Sequence, residues 1–592
     1  MFKKIFSYLS ILSVVLLFSG CGDVFKPANE NIRKLDNMYG NATYAEGFLV
    51  DAYNRLPGNS WTFTDVATDN AVSNDNNNSY RQMALGQWSS SNYPLNQWSN
   101  SRAAIQYLNI VIANADSVSW AKNEEANALF AKRMKGEAYG LRGLFMYYLL
   151  RAHAGWTGSG ESGKLLGVPI VLHPQTPDST FNKSRASFEK CMKQLYSDLE
   201  KAQQLLPLDY EDLNAASQLP ANYKNVDLDN YNRVFGHYGK QRMSGRIAMA
   251  VEARASLLAA SPAYKSANNS TTWADAAKYA GNILKLHGGL SSFDSNGATW
   301  YNDPSEVDNI GSGNNPPEIL WRTDKGQSSD LEQQNFPPTL YGNGRINPTQ
   351  NLVDAFPMKN GYPIDNSNSG YDPQNPYNNR VPLLEKYILV NGSTAGPQGT
   401  TITTAADGNT NDALNKVSTS TRTGYYLRKL LRQNVNLDPN NTNPQQHYIP
   451  RIRYTEMYLD YAEAANEAWG PMGTGSFSFS AYDVIEAIRK REGVSQPDNY
   501  LQSVGGNKDS MRKLIRNVRR IELCFEGFRF WDLRRWNKDL KETAMGDKIE
   551  NGKHNPTMTV EKRDYQKYER FGPIPRNAVL KYNALEQNYG WQ

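Results

Sequence analysis

The clearest pattern along this chain is a helical alternation of apolar and polar positions, in segments separated by long polar stretches. Apolar residues repeat every three or four positions at residues 102 to 118, 123 to 152, 186 to 205, 242 to 260, 273 to 287, 451 to 468, 480 to 491 and 509 to 537. Small residues alternate with aromatics in segments such as AKRMKGEAYGLRGLFMYYLLRA, which lets helices approach closely and interlock. The pattern therefore predicts a mainly α-helical protein with about eight helices in about four pairs.

The stretches between these helices are long and rich in Asn, Gly, Ser, Pro and aromatic residues. They cover approximately residues 57 to 98, 155 to 182, 208 to 240, 290 to 346 and 365 to 448. Irregular segments well beyond ~15 residues in a compact protein are commonly functional or disordered. Their aromatic content favours ordered surface loops, so we expect any binding site to be built from them.

One helix-length window near the C-terminus, IRNVRRIELCFEGFRFWDLRRW at residues 515 to 536, combines acids, arginines and large aromatics. Its charged positions follow one another at helical spacing: Arg519, Glu522, Glu526, Arg529, Asp532 and Arg535. The spacing predicts a buried helix whose charges pair along one stripe. The alternative is a catalytic pair formed by Glu522 and Glu526. We favour the structural role, because neighbouring arginines hold acids ionised, whereas a glycosidase acid needs a raised pKa.

The same window closely resembles the C-terminal signature of the SusD/RagB family, nutrient-binding outer-membrane lipoproteins of Bacteroidetes. Other segments resemble family landmarks in the family's order: GVPIVLHP (167 to 174), GRIAMAVEARASLLAASPAY (245 to 264), NPTQNLVDAFPMKNGYPI (347 to 364) and RYTEMYLDYAEAANEA (453 to 468). The resemblance implies a tetratricopeptide-like helical-repeat body forming one SusD-like domain over residues 41 to 592. Long loop insertions would then form its ligand face.

The N-terminus has the pattern of a lipoprotein signal peptide. Two lysines precede an apolar run at residues 5 to 18, and Ser-Gly-Cys follows. The run is 14 residues long, and a bilayer-spanning helix needs about 20. We therefore predict a signal peptide at residues 1 to 20, a lipidated Cys21, and a tether from 21 to 40.

Composition excludes several classes of function. The net charge of +5 is small for 592 residues, and basic and acidic residues are interleaved, so no nucleic-acid surface is indicated. Cys191 and Cys524 lie in apolar helical patterns, which favours buried small hydrophobes over a disulfide or metal pair. The six histidines lack ligand spacing, so we expect no transition-metal site and no cofactor. The oxygen-rich run SNDNNNS is a candidate calcium loop, although most such runs are solvated turns.

A sugar-binding site needs an exposed aromatic plate bordered by amide, carboxylate or guanidinium groups. Two loop stretches supply this mixture, and their candidate residues are Asp69, Asn70, Tyr80, Arg81, Trp88, Asn92, Trp300, Trp321 and Tyr341. Trp88 lies in the polar stretch QWSSSNYP, which favours exposure, and its position resembles the aromatic-bearing loop of starch-binding family members. Trp98 begins a helical pattern and is predicted to be core, whereas Trp321 in EILWR fits core or site equally well.

The resemblance implies a cell-surface glycan-binding lipoprotein, anchored in the outer membrane, that feeds a SusC-like TonB-dependent transporter. A peptide-binding member of the same family is the alternative, because the RagB branch takes peptides. A glycoside hydrolase is disfavoured, because acids such as Asp69 and Asp303 have no visible partner that would raise a pKa. A bare helical scaffold would not need so many long aromatic loops. We therefore expect a binding protein rather than an enzyme.

Overall fold

The architecture is that of a helical body whose loops carry short β-ladders. In the computed structural model, residues 35 to 160 and 162 to 592 are described. The longer helices are α1 (Ala42–Asn54), α2 (Trp98–Asn114), α3 (Glu124–His153), α4 (Phe188–Leu205), α5 (Leu228–Phe235), α6 (Gly245–Ala260), α7 (Trp273–His287), α8 (Tyr454–Trp469), α9 (Ala481–Glu492), α10 (Lys508–Glu522) and α11 (Arg529–Arg535). Short α-helices span Ser79–Gln82, Pro304–Val307, Asp330–Asn335, Gln350–Ala355, Leu383–Tyr387, Asn499–Val504 and Arg576–Lys581.

Capping residues mark the ends of several helices. Asn41 accepts a hydrogen bond from the Tyr44 amide at 2.9 Å at the start of α1, and Asn123 accepts one from the Ala126 amide at 2.9 Å at the start of α3. Such caps satisfy amides that have no partner within the helix. Gly493 ends α9 with a φ of 97°, a left-handed conformation that costs glycine little.

Successive long helices pack side by side, so the body is layered. α2 packs on α3, α3 on α4, α4 on α6, α6 on α7, and α7 on α8, which also contacts α9 and α10. Close approach explains the small residues of α3, because a Cβ at Gly140 would lie 2.5 Å from the Met243 side chain, and one at Gly143 would lie 2.8 Å from that of Leu199. The predicted mainly helical fold is confirmed. The prediction missed α1 and α5.

The strands are short and pair only in two-stranded antiparallel ladders within the described residues. The ladders are β1 (Ala71–Ser73) with β6 (Ile346–Pro348), β2 (Gly155–Trp156) with β3 (Leu165–Leu166), β4 (Ile319–Arg322) with β12 (Pro450–Arg453), β5 (Gly326–Ser328) with β11 (Gln445–His447), β7 (Ile388–Leu389) with β10 (Tyr426–Leu427), β8 (Thr394–Ala395) with β9 (Thr400–Thr401), and β13 (Ala544–Gly546) with β14 (Met558–Glu561). The β1–β6, β4–β12 and β5–β11 ladders join loop segments that are distant in sequence, whereas β2–β3, β8–β9 and β13–β14 pair strands close together in the chain.

The N-terminal end of the described chain already belongs to the body. Met38, inside the predicted tether, is buried against Ala45, Ile110 and Val118. Cys21 and the predicted signal peptide lie outside the described residues. Cys191 and Cys524 are both buried and unbridged, as predicted. None of the described helices combines the length and hydropathy that crossing a bilayer requires.

The C-terminal charged window is not one helix, which corrects the prediction for residues 509 to 537. α10 ends at Glu522 and α11 begins at Arg529. Between them Phe525 has a φ of 64° and Gly527 a φ of 84°, so the chain turns sharply. The charges on either side of the turn are thereby directed to different neighbours.

The charges of this window are buried and paired, as predicted, but they pair mainly with other segments. Arg519 lies 2.6 Å from Asp460 of α8 and 2.9 Å from Asp532 of α11. Arg535 lies 2.6 Å from Glu463 of α8. Burial works to raise the pKa of Glu463, but Arg535 outweighs it and lowers the pKa to about 2. These contacts fasten α8, α10 and α11 together.

A second group of pairs joins the same window to the loops. Glu526 lies 2.7 Å from Arg453 and 2.6 Å from Lys429, and Arg453 also lies 2.6 Å from Glu318. Arg520 and Arg529 also contact Asp69. We call all of these ion pairs, including those that join α8, α10 and α11, the ionic hub. Its members are Asp69, Glu318, Lys429, Arg453, Asp460, Glu463, Arg519, Arg520, Glu526, Arg529, Asp532 and Arg535.

Loss of Arg529 should destabilise the fold. Its guanidinium lies 2.7 Å from the Asp69 carboxylate, and Arg520 lies 2.8 Å from the same group. We expect Arg529→Ala to lower the free energy of unfolding by about 3 kcal/mol, because a buried carboxylate loses one of two partners. Urea denaturation measures this change. Arg576→Ala, at an exposed arginine, is the control, and equal stability of the two variants would contradict a structural role for the hub.

Candidate ligand-binding cleft

A cleft of about 620 Å³ opens among the loops beyond the end of α1. Its walls come from the segment that follows α1, from β5 and the residues after it, and from β11. Aromatic rings of Trp61, Phe63, Tyr80 and Tyr448 line it. We call it the aromatic cleft. Its volume is in the range typical of small-molecule sites.

The aromatic wall is a stack of rings that continues from the cleft into the core. The Trp61 ring centroid lies 6.5 Å from that of Phe63 and 6.4 Å from that of Trp300, both at an interplanar angle of 21°. Trp300 in turn stacks on Tyr448 at 5.4 Å. Trp61 and Phe63 are half-buried, whereas Trp300 is buried. The buried indole therefore supports a Trp61 ring that remains partly accessible from the cleft.

Polar side chains surround these rings. They are Asp75, Asn78, Asp324, Gln327, Ser328, Asp330, Gln334, Arg345 and His447. The set combines carboxylate, amide, hydroxyl, imidazole and guanidinium groups, and so offers hydrogen-bond donors and acceptors to a polar ligand.

Two local contacts fix the polar wall. Asn74 donates its side-chain amide to the carbonyls of Asn343 and Gly344, each at 2.9 Å, and accepts from Arg345 at 3.3 Å. On the opposite side, His447 contacts Glu332 at 2.9 Å through Nε2. These bonds hold together segments that are more than 100 residues apart in sequence, and so they fix the polar wall of the cleft.

α1 separates the cleft from the point where the described chain begins. α1 starts at Ala42, close to the packed Met38, and its 13 residues extend about 20 Å before the chain reaches the cleft. At the far end, Asn100 at the start of α2 donates to the Arg55 carbonyl. The cleft is therefore about one helix length from the N-terminal entry of the chain.

Among the candidates predicted from sequence, Tyr80 alone lines the aromatic cleft. Asp69 is buried in the ionic hub, where burial works to raise its pKa but Arg520 and Arg529 outweigh it and hold the pKa below its ordinary range. Asn70 is buried beside it, donating to Asp65 and accepting from Arg520. Both residues support the cleft wall from behind.

The predicted exposure of Trp88 is wrong, because only 5% of its surface is accessible. Its ring packs against Tyr93, Phe530, Tyr565 and Trp591, at centroid distances of 5.1, 6.0, 6.3 and 4.8 Å. Gln87, Ser89, Ser91 and Asn92 remain exposed, while mostly C-terminal residues supply the apolar surroundings of the indole. Trp88 is a core residue.

The rim residues predicted beside Trp88 have other partners. Arg81 lies 2.7 Å from Glu561 and is mostly buried. Asn92 is exposed and donates to the Gln87 carbonyl at 3.0 Å within its own turn. Neither residue lines the aromatic cleft.

The predicted residues of the second stretch also lie outside the lining. Trp300 and Trp321 are both buried, with Trp321 donating from Nε1 to the Gln241 carbonyl at 2.9 Å. Tyr341 is 57% exposed but does not line the cleft. Trp98, predicted to be core, is buried against His153 at a centroid distance of 5.5 Å.

Sequence reasoning missed Trp61, Phe63 and Tyr448. A usable signal was present in WTFT at residues 61 to 64, because residues two apart in an extended segment point to the same side. This signal could be used only once α1 was known to end at Asn54, because the end of that helix places the segment on the loop face.

Within the described residues, no group of three or more His, Cys, Asp or Glu side chains is placed to share a metal ion. In the run SNDNNNS, the Asp75 carboxylate accepts the Asn77 amide, and Asn78 accepts the Arg81 amide as a helix cap. The calcium site stays a prediction.

Comparison with known proteins agrees with this architecture. The model described as the SusD family matches residues 317 to 591, and the model described as "Starch-binding associating with outer membrane" matches residues 29 to 222. No curated protein matches the sequence. The two models together cover most of the chain and identify its class, a SusD-type protein. The chain belongs to the SusD/RagB family.

Solved structures extend the agreement to the fold. A SusD-like protein from Bacteroides fragilis is 21% identical, with 95% of this chain and 99% of that one aligned at a TM-score of 0.71. A SusD-like carbohydrate-binding protein from the same species is 21% identical, covers 93% and 99%, and gives 0.66. Surface glycan-binding protein A from Bacteroides fluxus is 16% identical, covers 93% and 100%, and gives 0.56. The predicted tetratricopeptide-like fold is thereby confirmed.

Replacement of Trp88 should now affect stability rather than ligand binding. We expect Trp88→Ala to lower the free energy of unfolding by about 3 to 5 kcal/mol, because it leaves a cavity among buried rings. Differential scanning calorimetry and urea denaturation measure the loss. A variant with unchanged stability and lost affinity for ligand would return Trp88 to the binding surface and refute its assignment to the core.

Proposed function

We propose that the protein is a cell-surface glycan-binding lipoprotein that captures oligosaccharide or polysaccharide in the aromatic cleft. It then delivers the glycan to a SusC-like TonB-dependent transporter. The observation that carries the proposal is the half-buried Trp61 ring, supported by Trp300 and surrounded by polar side chains. An aromatic face suits the C–H face of a pyranose, while amides, carboxylates and a guanidinium suit its hydroxyls.

Similar proteins support this choice of ligand. The matched model carries the description "Starch-binding associating with outer membrane", and two of the similar structures are described as carbohydrate- or glycan-binding. The chain and those structures share the helical body, and the cleft residues of this chain supply the chemistry expected of a sugar site.

The lowered pKa values of Glu526, Asp303 and Asp69 fit a binding protein better than a glycoside hydrolase. Burial works to raise the pKa of Glu526, but Arg453 and Lys429 outweigh it and the pKa is lowered. A hydrogen bond from Ser305 lowers the pKa of Asp303, and the pKa of Asp69 is also lowered. A glycosidase general acid requires the opposite shift. These carboxylates are therefore suited to structural ion pairs and hydrogen bonds.

Anchoring by a lipid at Cys21 would place the body at the outer-membrane surface, with the aromatic cleft about one helix length from the tether. Two or more acyl chains are needed for stable attachment, which a bacterial lipoprotein cysteine supplies. We expect the lipidated protein to co-purify with a TonB-dependent barrel from detergent-solubilised membranes. Repeated recovery without any barrel would contradict delivery to a transporter.

Truncation of Trp61 tests the site directly. We expect Trp61→Ala to weaken binding about tenfold or more, because the lost stacking and apolar contact are worth roughly 1 to 2 kcal/mol. A glycan array identifies the ligand, and isothermal titration with that oligosaccharide measures affinity.

Tyr341→Asn is the matched control, because it removes an exposed aromatic outside the cleft, and asparagine tolerates the left-handed φ of 62°. The control should bind normally. Loss of binding in the control but not in Trp61→Ala would overturn the location of the site. Binding of a peptide mixture in place of every glycan would favour the peptide-binding alternative.

A further inference from the structure

A second groove, of about 990 Å³, lies near the C-terminus. It is separated from the aromatic cleft by the core cluster that contains Trp88. Tyr80 packs on this cluster and lines the cleft, whereas Tyr568 packs on the cluster and lines the groove. The groove is formed by the β2 hairpin and by segments 537 to 541, 565 to 571 and 588 to 589. We call it the C-terminal groove.

The C-terminal groove carries an excess of positive charge. Among the described residues that line it, the cations are Lys538, Lys541, Lys567 and Arg570, and the carboxylate is Asp539. Asp539 accepts the Lys541 backbone amide at 3.0 Å within a turn. In the part of the chain that the structure describes, none of the three lysines forms an ion pair with a carboxylate. All three lysines are exposed, and Lys541 also acts on the pKa of the nearby Glu569 carboxyl. Their charge is therefore accessible to a ligand.

Other cations lie behind the groove, although Arg512 and Arg529 are already paired with Glu467 and Asp69. The pKa of Lys538 is lowered, first by partial burial and then by the positive charges of Arg516, Arg529, Lys513 and Arg512. Each of these contributions disfavours a further positive charge at this point.

Aromatic rings form the apolar part of the same groove. Trp156, Tyr568, Phe571 and Tyr589 line it, and Tyr589 is 48% exposed at its edge. The Tyr589 amide donates to the Trp156 carbonyl at 2.9 Å, which fixes the chain end against the β2 hairpin. Gly590 has a φ of 85°, and a Cβ there would collide with the Tyr568 ring. The close packing fixes the position of these rings.

We propose that the C-terminal groove is a second glycan-binding site, selective for sugar segments that carry carboxylate or sulfate groups. The rings of Tyr589 and Tyr568 offer faces for pyranose stacking, and the lysines around them offer pairing to acidic substituents. The site is distinct from the aromatic cleft, where carboxylates of Asp75, Asp324 and Asp330 accompany one arginine. The two grooves therefore suit glycan segments of different charge.

The groove lies at the opposite end of α2 from the point where the described chain begins. Asn588 in the groove donates to the His153 carbonyl at the end of α3, and His153 packs on Trp98 at the start of α2. The described chain begins near the opposite end of α2, where Tyr39 donates to Asn114 at 2.9 Å. The 17 residues of α2 separate the two points by about 25 Å. The described chain therefore begins about 25 Å from the groove.

Affinity electrophoresis and isothermal titration at physiological ionic strength test the proposal with polygalacturonate, chondroitin sulfate and neutral dextran as probes. We expect the protein to bind one or both acidic polymers more tightly than dextran. Lys541→Gln/Lys567→Gln should weaken that binding by about tenfold, because each pairing contributes modestly. Tyr589→Ala, which changes no charge, should weaken it as well. The polymer that binds identifies the acidic group.

The matched control is Lys122→Gln/Lys224→Gln, which removes the same charge from exposed positions outside the groove. This control should bind the acidic polymer as the native protein does, and so should Trp61→Ala, which tests the aromatic cleft separately. Equal losses in both lysine pairs, or no loss in Tyr589→Ala, would show diffuse attraction and overturn a built site. Binding to phosphatidylglycerol vesicles but to neither acidic polymer would also overturn the proposal.

Discussion

The structure depends on buried arginine–carboxylate pairs. Each charge in the ionic hub has left water, which costs several kcal/mol unless an opposite charge and good hydrogen bonds compensate. The hub meets this condition by sharing partners, as Arg519 does between Asp460 and Asp532. A buried charge that must keep its partner allows few alternative packings of the helices that carry the two residues. The hub therefore fixes how α8, α10 and α11 meet.

The same hub reaches each segment that forms the aromatic cleft. Asp69 lies between Phe63 and Tyr80 in the first wall and contacts Arg520 and Arg529. Glu318 precedes β4, which leads to the wall at β5, and Arg453 follows β11 and the cleft residue Tyr448. Arg453 contacts both Glu318 and Glu526, so two walls are tied to one turn. The C-terminal signature is thus joined to the walls of the cleft by ion pairs.

The sequence was sufficient for the features that arise locally. Helical periodicity identified the longer helices other than α1 and α5, and the small residues of α3 indicated close packing, as at Gly140 against Met243. The charged window was recognised as buried and ion-paired. Its break between Glu522 and Arg529 was missed, because charges at helical spacing fit one continuous helix equally well until their partners on α8 are known.

The candidate site was predicted less well, because exposure is set by distant residues. Trp88 has polar neighbours in sequence, yet Phe530, Tyr565 and Trp591 bury it from hundreds of positions away. Trp61 is accessible because the β5–β11 ladder, which is distant in sequence, leaves a cleft beside it. The local sequence of a loop shows neither which distant residues bury Trp88 nor which ones leave Trp61 accessible.

Hydrogen–deuterium exchange on Asp69→Asn tests most directly whether the hub organises the cleft. The substitution removes the countercharge of Arg520 and Arg529 but keeps the side-chain size. We predict faster exchange in the wall containing residues 61 to 80 and also in the wall at 445 to 453, while α2 and α4 remain protected. Faster exchange confined to the residues around position 69, or no change at all, would contradict the account.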